Sequence, residues 1–535
     1  MNKKTNSYPL YSMLSRTAES HPDKIALICG DKRYSYAQFK ERVDRLACGL
    51  ESININKIDK IAIIHKNCHR FLEAYFAAAK IGAILVPINY RLSPNDFVYI
   101  LNNSQTKVLI AQSHLISSII ENREKLPLLR NIILTELEKT NRLNEMHLEY
   151  ESLLESAILK KEPANIKEDS DIAQIYYTSG TTGSPKGVIL THKNNWEHAE
   201  GTITELGLSS SDKWLHVSPM FHLADAWAVW SITMVAATHV MIPSFEPKLV
   251  LQAIEEHQIT ISNFIPTMLN ILVNFPDVKS YNLSSLRLLL SGGAPIATEV
   301  IRKVIEIFGC DYIQTYGLTE TSPFLTMSIL RDEMKSFPFE ERLKYMATTG
   351  RPFYNVEIKV VKEDGTEVIP NEEDVGEIIV KGVTVTPGYW SLPEETSKRI
   401  TDGWLHTRDL AVVNPEGYMT IVDRRDDVIN TGGENIYSIE VENILYSHPC
   451  ILEAAVIGLP DAIWGEKLTA VVVVKEGDEL SEADVIRFCK DHLAHFKAPK
   501  KVIFTDQLPK TGSAKICKYK LREIYKKKRG SGLQT

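Results

Sequence analysis

The stretch "DIAQIYYTSGTTGSPKGV", residues 171–188, joins a short apolar run to a loop rich in glycine, serine and threonine. The apolar run predicts a buried strand. Glycines in the loop let backbone N–H groups approach an anion, and the hydroxyl groups add further donors. One lysine, Lys186, supplies a positive charge. The stretch therefore predicts a strand followed by a phosphate-binding loop.

The Walker A pattern of P-loop NTPases, G-x-x-x-x-G-K-[ST], does not fit this loop. Counted from Gly180, the second glycine falls at Pro185, and Gly187 follows Lys186 where serine or threonine is required. The sequence thus argues against a P-loop NTPase. A flexible surface loop is the other interpretation, and the density of small polar residues around one lysine directly after a strand argues against it.

Apolar runs alternate with amphipathic stretches from about Lys24 to Asp423. "KIAIIH" (60–65) predicts a buried strand, and "CHRFLEAYFAAAKIG" (68–82) predicts a helix that ends at Gly82. Thr191 is predicted to cap a second helix. Such alternation indicates an α/β fold with mainly parallel sheets.

Five predicted strands are each followed at once by a polar or glycine-rich segment. They are "DIAQIYY" (171–177), "KWLHVS" (213–218), "ITISNF" (259–264), "LRLLL" (286–290) and "DYIQTY" (311–316). In open α/β sheets, ligands bind beyond the carboxyl ends of the strands. We therefore expect these five ends to face one crevice.

The pattern changes near the C-terminus. Strands and turns follow Gly376, and a unit of about 110 residues after the charged junction 423–427 alternates helices and strands, including a helix capped by Ser481. This unit predicts a small α+β domain.

Charge and composition narrow the classes of function. The chain has 535 residues, a net charge of −7 and seven cysteines, without CxxC pairs. Nucleic-acid binding would need a concentrated basic face, which this sequence does not suggest. We expect a cytoplasmic protein without signal peptide or membrane span. "HKNCHR" places His65, Cys68 and His69 at spacings that could meet a metal, but further ligands are missing.

Seven segments resemble, in order along nearly the whole chain, the signature motifs of the adenylate-forming (AMP-binding) superfamily, which includes acyl-CoA synthetases, peptide-synthetase adenylation domains and firefly-type luciferases. They are residues 177–188 "YTSGTTGSPKGV", 218–227 "SPMFHLADAW", 291–295 "SGGAP", 316–321 "YGLTET", 403–411 "GWLHTRDLA", 423–442 "DRRDDVINTGGENIYSIEVE" and 508–518 "LPKTGSAKICK". The order and spacing are most similar to the acyl-CoA synthetase or fatty-acid–CoA ligase branch.

The resemblance implies a fold and a reaction. An α/β N-terminal domain with a distorted β-barrel portion would span residues 1–425, and a small mobile α+β domain carrying a catalytic lysine would span 426–535. The enzyme would use ATP and Mg²⁺ to convert a carboxylic acid into acyl-AMP and pyrophosphate. Transfer of the acyl group to CoA would follow.

The resemblance also implies the catalytic and nucleotide-binding residues. The catalytic set is Lys515, His222, Glu320 and Arg424, with Glu320 as the Mg²⁺ ligand. The ATP- and AMP-binding set is Thr178, Ser179, Gly180, Thr181, Thr182, Gly183, Lys186, Gly293, Ala294, Pro295, Tyr316, Gly317, Thr319, Asp409, Arg424 and Lys515. In this set the loop residues 178–183 would hold the β- and γ-phosphates, Tyr316 the adenine and Asp409 the ribose hydroxyls.

The second half-reaction would use a different arrangement. The small domain would swing about Asp426, so that Lys515 leaves the site. The CoA-binding residues Gly432, Gly433 and Glu434 would then replace it, and the two glycines would let a pantetheine arm pass. Arg408 departs from the pattern, because many relatives have glycine before the ribose aspartate.

The expected acyl pocket is bulky and apolar. Its predicted lining is Phe221, His222, Trp227, Phe264, Leu318, Pro323 and Phe324. Burial of an unpaired polar group is costly, so an aliphatic or aryl monocarboxylic acid is favoured, with a medium- or long-chain fatty acid preferred. An amino acid stays an alternative substrate, because Asp225 could pair with its amino group.

Two other functions stay open. An acyl-AMP ligase that loads a carrier protein is one, and a non-catalytic nucleotide-binding sensor is the other. A homodimer and weak peripheral membrane contact through the basic tail, residues 526–529, are compatible with the sequence.

Overall fold

The structure is a computed structural model that describes residues 9–136, 147–159, 171–178, 185–294, 296–510 and 516–530. The described strands are β1 Ile25–Cys29, β2 Lys32–Ser35, β3 Lys60–Ile64, β4 Ile84–Pro87, β5 Thr106–Ala111, β6 Asn131–Leu134, β7 His147–Glu149, β8 Ile172–Thr178, β9 Lys186–Thr191, β10 Lys213–His216, β11 Thr238–Met241, β12 Ile261–Phe264, β13 Leu288–Gly292, β14 Asp311–Gly317, β15 Phe324–Met327, β16 Arg351–Pro352, β17 Val356–Val361, β18 Gly376–Gly382, β19 Ile400–Thr401, β20 Trp404–Val413, β21 Met419–Arg424, β22 Ile429–Thr431, β23 Glu434–Ile436, β24 Ile451–Asp461, β25 Gly465–Val474 and β26 Lys501–Phe504.

The described α-helices are α1 Tyr11–Ser20, α2 Tyr36–Ser52, α3 His69–Ile81, α4 Pro94–Asn103, α5 Ser117–Glu121, α6 Tyr150–Ser156, α7 His192–Leu206, α8 Leu223–Ala226, α9 Ala228–Met234, α10 Pro247–His257, α11 Pro266–Val273, α12 Thr298–Phe308, α13 Phe339–Met346, α14 Pro393–Arg399, α15 Ser438–Ser447, α16 Glu482–His492 and α17 Lys518–Gly530. Short 3₁₀ turns include Thr319–Thr321. Among the described helices, none combines the length and apolar character needed to cross a membrane.

Local signals in the sequence place several helix ends. Helix α3 ends at Gly82, which adopts the left-handed conformation at φ 70° that a helix C-terminus favours. Thr191 and Ser481 cap α7 and α16, and each is part of a capping box. These predictions are confirmed.

Two large sheets form the N-terminal α/β domain. The nine-stranded sheet has the order β16-β15-β14-β13-β12-β10-β11-β1-β2, and the seven-stranded sheet has the order β7-β6-β5-β3-β4-β8-β9. Pairing is parallel in the interior of both sheets. The largest hydrophobic core includes α2, α3 and α9, where Phe76 meets Phe39 and Trp230 edge to face. The predicted α/β class is therefore correct.

The five predicted strand ends come from two different sheets. Strands β10, β12, β13 and β14 are neighbours in the nine-stranded sheet, so their carboxyl ends share one edge. Strand β8, which precedes the phosphate loop, belongs to the seven-stranded sheet. Periodicity predicts that a segment is a buried strand, but it does not encode the sheet that the strand joins.

A third sheet and a fourth follow. Strands β17 to β21 form a five-stranded antiparallel sheet, the half-barrel portion of the N-terminal domain. Strands β22 to β26 form the sheet of the small α+β domain, which packs α15 and α16 on its own core. The third sheet ends at Arg424 and the fourth begins at Ile429.

Candidate active site

A buried carboxylate lies between two sheets. Asp409 on β20 accepts a hydrogen bond from the Tyr316 hydroxyl at 2.7 Å, and the Arg424 Nε donates to its second oxygen at 3.1 Å. Asp409 and Arg424 are register partners in the antiparallel pair of β20 and β21. This geometry holds a paired acceptor between β14 of the large sheet and the half-barrel.

The surroundings of Asp409 raise the pKa values of both side chains that bond to it. Burial, with the nearby carboxylate, raises the pKa of Tyr316 well above its ordinary value, so the phenol stays a donor. Asp409 raises the pKa of Arg424, and the guanidinium stays charged. The structure thus brings together three residues predicted for the nucleotide.

A second carboxylate lies in the turn after β14. Glu320 is 9% exposed, and the hydroxyl of Tyr389 donates to its Oε1 at 2.8 Å. Gly317 precedes the turn, and a Cβ there would lie 1.8 Å from the carbonyl oxygen of Pro323. Only glycine fits such a close approach of backbone.

The Glu320 site fits a hard divalent cation. Mg²⁺ is typically held by one or two carboxylates, with phosphate and water completing an octahedron. Within the residues that the structure describes, no group of three or more His, Cys, Asp or Glu side chains is arranged to hold a metal ion. A single buried carboxylate at this edge therefore suits a cation that arrives with phosphates.

The described flanks of the phosphate loop contact the same region. Thr178 ends β8 and Lys186 begins β9. The Lys186 ammonium lies 2.5 Å from Glu395 Oε2 and 5.9 Å from the centre of the Tyr389 ring. The predicted residues Ser179, Gly180, Thr181, Thr182 and Gly183 lie outside the described residues.

Sequence reasoning missed Tyr389 and Glu395. Both belong to the segment 387–396, "PGYWSLPEET", which reads as a turn followed by a helix start. The segment is held to β9 because Trp390 N donates to the Gly187 carbonyl at 2.7 Å. A tyrosine in a turn and a glutamate in the first turn of a helix carry no signal of their own. Only the fold reveals that Glu395 pairs with Lys186 and that Tyr389 contacts both Lys186 and Glu320.

The segment after β13 lies on the predicted adenine side. Gly293 has a positive φ of 86°, and the Ala294 carbonyl accepts from Gln314 Nε2 at 3.2 Å. Thr319 lies in the 3₁₀ turn with Glu320. Pro295 lies outside the described residues.

A cavity opens at the carboxyl ends of β10, β11 and β12. Its lining is Asn67, Tyr90, Arg91, Val217, Ser218, Pro219, His222, Ala224, Pro243, Ser244, Phe245, Ile265 and Met268. His222 is the one predicted acyl residue in this lining. Arg91 places a cation there, which the sequence-based lining lacked.

The other predicted acyl residues lie elsewhere. Trp227, Phe264 and Phe324 are buried in hydrophobic clusters, where Trp227 packs on Trp214 with ring centres 4.8 Å apart. Phe221 packs edge to face on Tyr90 at 5.3 Å. Leu318 and Pro323 bond to each other through backbone at 3.0 Å beside Glu320. Large apolar residues occur both in protein cores and in cavity walls, so their presence in a motif does not show which of the two they form.

The predicted hinge is tied to the ribose motif. The Arg408 guanidinium forms an ion pair with Asp426, and the Arg408 carbonyl accepts from Arg425 N at 2.9 Å. Arg408 has a positive φ of 66°, a conformation that favours glycine. The backbone therefore explains why glycine suits this position, and the ion pair gives the arginine a partner.

Replacing Arg408 should separate these two effects. Arg408→Gly relieves the positive φ and loses an exposed ion pair, so we expect the free energy of unfolding to change by less than about 1 kcal/mol. Arg408→Ala loses the ion pair and keeps the strain, so its midpoint in urea should be the lower of the two. Equal midpoints for the two variants would show that the backbone is not strained.

The small domain presents the predicted CoA strip to solvent. Gly432, Gly433 and Glu434 are exposed at the turn between β22 and β23, and both glycines have positive φ. Lys515 lies outside the described residues. Its flanks are joined by a β-bridge between Lys510 and Ile516.

The His65, Cys68 and His69 group has another explanation. His65 Nε2 lies 2.9 Å from Thr135 Oγ1, and Cys68 Sγ lies 3.3 Å from His65 Nδ1. Burial lowers the pKa of His65 to about 4. His65 and Cys68 thus form a buried polar contact before α3, while the His69 ring packs on Tyr34 with ring centres 5.6 Å apart.

Comparison with known proteins identifies the family of the chain. An AMP-binding enzyme family model matches residues 14–390, and a model for the AMP-binding enzyme C-terminal domain matches residues 440–515. The chain is 35% identical over 525 residues to 4-hydroxybutyrate–CoA ligase 2 of Metallosphaera sedula, covering 96% of this chain and 94% of that protein.

Two solved structures with a similar fold contain an acyl-adenylate or ATP with magnesium. The anthranilate CoA ligase AuaEII in complex with anthranoyl-AMP has a TM-score of 0.89 at 26% identity, covering 98% of each chain. The o-succinylbenzoate CoA synthetase of Bacillus subtilis in complex with ATP and magnesium ion has a TM-score of 0.82 at 29% identity, covering 95% of this chain and 98% of that one. These are proteins that the chain resembles.

Proposed function

The chain belongs to the AMP-binding enzyme family, and from this we propose that it activates an aliphatic or aryl monocarboxylic acid, with a medium- or long-chain fatty acid preferred. It is an adenylate-forming CoA ligase, which uses ATP with Mg²⁺ and CoA as co-substrate.

The nucleotide roles rest on the paired contacts of Asp409. Its carboxylate, held by Tyr316 and Arg424, is the acceptor that we assign to the ribose hydroxyls, while the Tyr316 ring faces the adenine. Glu320 would hold Mg²⁺, and the bound ion would neutralise charge on the phosphates. Lys186 and residues 178–183 would bind the β- and γ-phosphates.

The domain roles follow the break between the third and fourth sheets. We assign residues 1–425 to binding of nucleotide and acid, and residues 426–535 to a mobile domain. Lys515 would place a point charge between the carboxylate and the α-phosphate during adenylation. Rotation about Asp426 would then exchange it for Gly432, Gly433 and Glu434.

The observation that carries the acid assignment is the cavity beside His222. Its walls include the apolar residues Val217, Phe245, Ile265 and Met268. The one cation among the described lining residues, Arg91, is exposed to solvent. Ligand pockets are lined mainly by apolar side chains and typically enclose about 300–1,000 Å³, whereas this cavity encloses about 40 Å³. Its walls therefore support an apolar acyl group and do not set the chain length. Similar proteins are named for 4-hydroxybutyrate, anthranilate and o-succinylbenzoate, so the acid class needs a direct test.

The test is pyrophosphate release from ATP and Mg²⁺ with a panel of C2 to C18 and aryl acids, with and without CoA. Products are identified by mass spectrometry. Acyl-CoA from medium or long chains supports the proposal, and acyl-CoA from short or aryl acids alone overturns the chain-length preference. Acyl-adenylate that ignores CoA would indicate a carrier protein as acceptor. ATP binding without pyrophosphate release would indicate a sensor.

A substitution in the cavity tests its assignment to the acyl group. Met268→Trp adds bulk to the wall, so we expect preference to shift towards shorter acids, with roughly 10-fold loss of kcat/KM for the longest acid used. Ile271 is on the same helix α11 and is 47% exposed, so Ile271→Trp is the matched control. An unchanged acid profile in Met268→Trp would show that the acyl group binds elsewhere.

A further inference from the structure

Four fully buried polar side chains, those of Asp225, His216, His239 and Thr233, form a continuous row of hydrogen bonds. His216 Nδ1 lies 2.6 Å from Asp225 Oδ2, and His216 Nε2 lies 2.9 Å from His239 Nδ1. His239 Nε2 in turn lies 3.0 Å from the Thr233 hydroxyl oxygen. All four side chains are inaccessible to solvent.

One proton arrangement with neutral imidazoles satisfies every contact. Thr233 donates to His239 Nε2, His239 Nδ1 donates to His216 Nε2, and His216 Nδ1 donates to Asp225. Burial lowers the pKa of His239 well below its ordinary value, which keeps that ring neutral. Trp214 Nε1 donates to the other oxygen of Asp225 at 3.2 Å. Asp225 is thus engaged with protein groups and is absent from the cavity lining, which removes the reason to expect an amino-acid substrate.

The His216–Asp225 bond closes the segment that forms one wall of the cavity. His216 is the last residue of β10, and Asp225 lies in α8. The segment between them, residues 217–224, supplies five of the thirteen lining residues, His222 among them. The two residues that bond to each other therefore fix the two ends of this wall.

This row of hydrogen bonds also extends to the strand that leads into a second part of the cavity lining. His239 lies on β11, the parallel neighbour of β10. Strand β11 leads into Pro243, Ser244 and Phe245, which also line the cavity. The His216–His239 contact thus joins the strands from which two walls extend.

We propose that His216 and Asp225 are positioning residues for the acid. By fixing the ends of segment 217–224, they hold His222 and the cavity wall in one shape and so set the affinity and selectivity for the acyl group. This inference rests on the proposed function, because it takes the cavity as the acyl site.

The experiment compares two substitutions of one residue. In His216→Asn, the amide nitrogen replaces the Nδ1 donor, and Asp225 keeps its partner. In His216→Leu, that donor is lost. We expect KM for the preferred acid, measured by pyrophosphate release, to rise roughly 10-fold or more in His216→Leu and to stay near the original value in His216→Asn. KM for ATP should stay unchanged in both.

A second variant guards against unfolding. Loss of one partner leaves a buried charge uncompensated, so His216→Leu can lose stability. The double variant His216→Leu/Asp225→Asn removes that charge, yet it still lacks the bond between β10 and α8. It should show the same raised KM for the acid.

The outcomes are distinct. A raised KM for the acid alone, rescued by asparagine, supports the inference. An unchanged KM for the acid in the leucine variants overturns it, and so does an equal rise in KM for acid and ATP in all variants, which would show a general structural role. An unchanged acid profile in Met268→Trp would overturn the acyl assignment of the cavity and this inference with it.

Discussion

Replacing Lys515 with alanine is expected to slow formation of acyl-adenylate by about 10²–10³-fold, while supplied acyl-adenylate is still converted to thioester. The reason is charge: the attack of a carboxylate on an α-phosphate concentrates negative charge that the ammonium would offset. In the second half-reaction the CoA thiol would lose its proton and attack the acyl carbon, and AMP would depart with the bonding electron pair. By then Lys515 would have left the site with the small domain, so its loss should have little effect on this step. Two assays measure the effect, pyrophosphate release for the first step and acyl-CoA formation from synthetic acyl-adenylate for the second.

The structure supports this separation through the flanks of Lys515. Cys517 N donates to the Pro509 carbonyl at 2.8 Å, and Lys518 pairs with Glu442 at 2.8 Å. These contacts tie the described flanks of Lys515 to the small domain, so in the proposed rotation Lys515 would move with that domain. Lys510→Ala is the matched control, because Lys510 pairs with Glu453 at 2.5 Å in the same motif. An equal fall of both half-reactions in folded Lys515→Ala would contradict the assignment.

Replacing Glu320 with glutamine is expected to lower pyrophosphate release by about 100-fold, with a higher Mg²⁺ concentration needed for half-maximal rate. Glutamine keeps the size and one oxygen but removes the negative charge that a hard cation prefers. The Tyr389 hydroxyl would still have an oxygen to donate to, so the fold of the turn should persist. Titration of activity with Mg²⁺ at fixed ATP is the measurement.

Glu333→Gln is the control for this substitution, since Glu333 is exposed and lies in the 3₁₀ segment Asp332–Ser336. Tyr389→Phe adds a second comparison, because it keeps the Glu320 charge and removes the hydrogen bond. Its loss should be smaller than that of Glu320→Gln. If Glu320→Gln kept the original Mg²⁺ dependence, Glu320 would not be the metal ligand.

Local signals in the sequence predicted much of the fold. The αL glycine at 82 and the capping residues Thr191 and Ser481 act on their own neighbours, so a short window contains the cause and the result. The strand ends of the nine-stranded sheet could be predicted as one edge for a similar reason, because parallel strands share their direction. Sheet membership of β8 depends on which distant strand it pairs with, and no local pattern states that.

The candidate site divides in the same way. Asp409, Tyr316 and Arg424 could be assigned because each is part of a motif, and the structure brings them together. The residues that line the cavity could not be predicted, because Phe245 and Met268, for example, come from segments without a motif. Trp227, Phe264 and Phe324 were assigned to the wall on size and apolarity, properties that core residues share. The pairing of Asp225 with His216 depends on a buried contact between a strand and a helix, which composition does not reveal.

The close approach at Gly317 has a consequence for how such an enzyme can diversify. A side chain there would collide with the Pro323 carbonyl, so substitution of Gly317 should disrupt the turn that carries Glu320. The segments 217–224 and 243–245, which contribute to the cavity lining, contain no glycine held in this way. New acid preferences in descendants of this chain should therefore accumulate in those two segments, while the nucleotide side stays invariant.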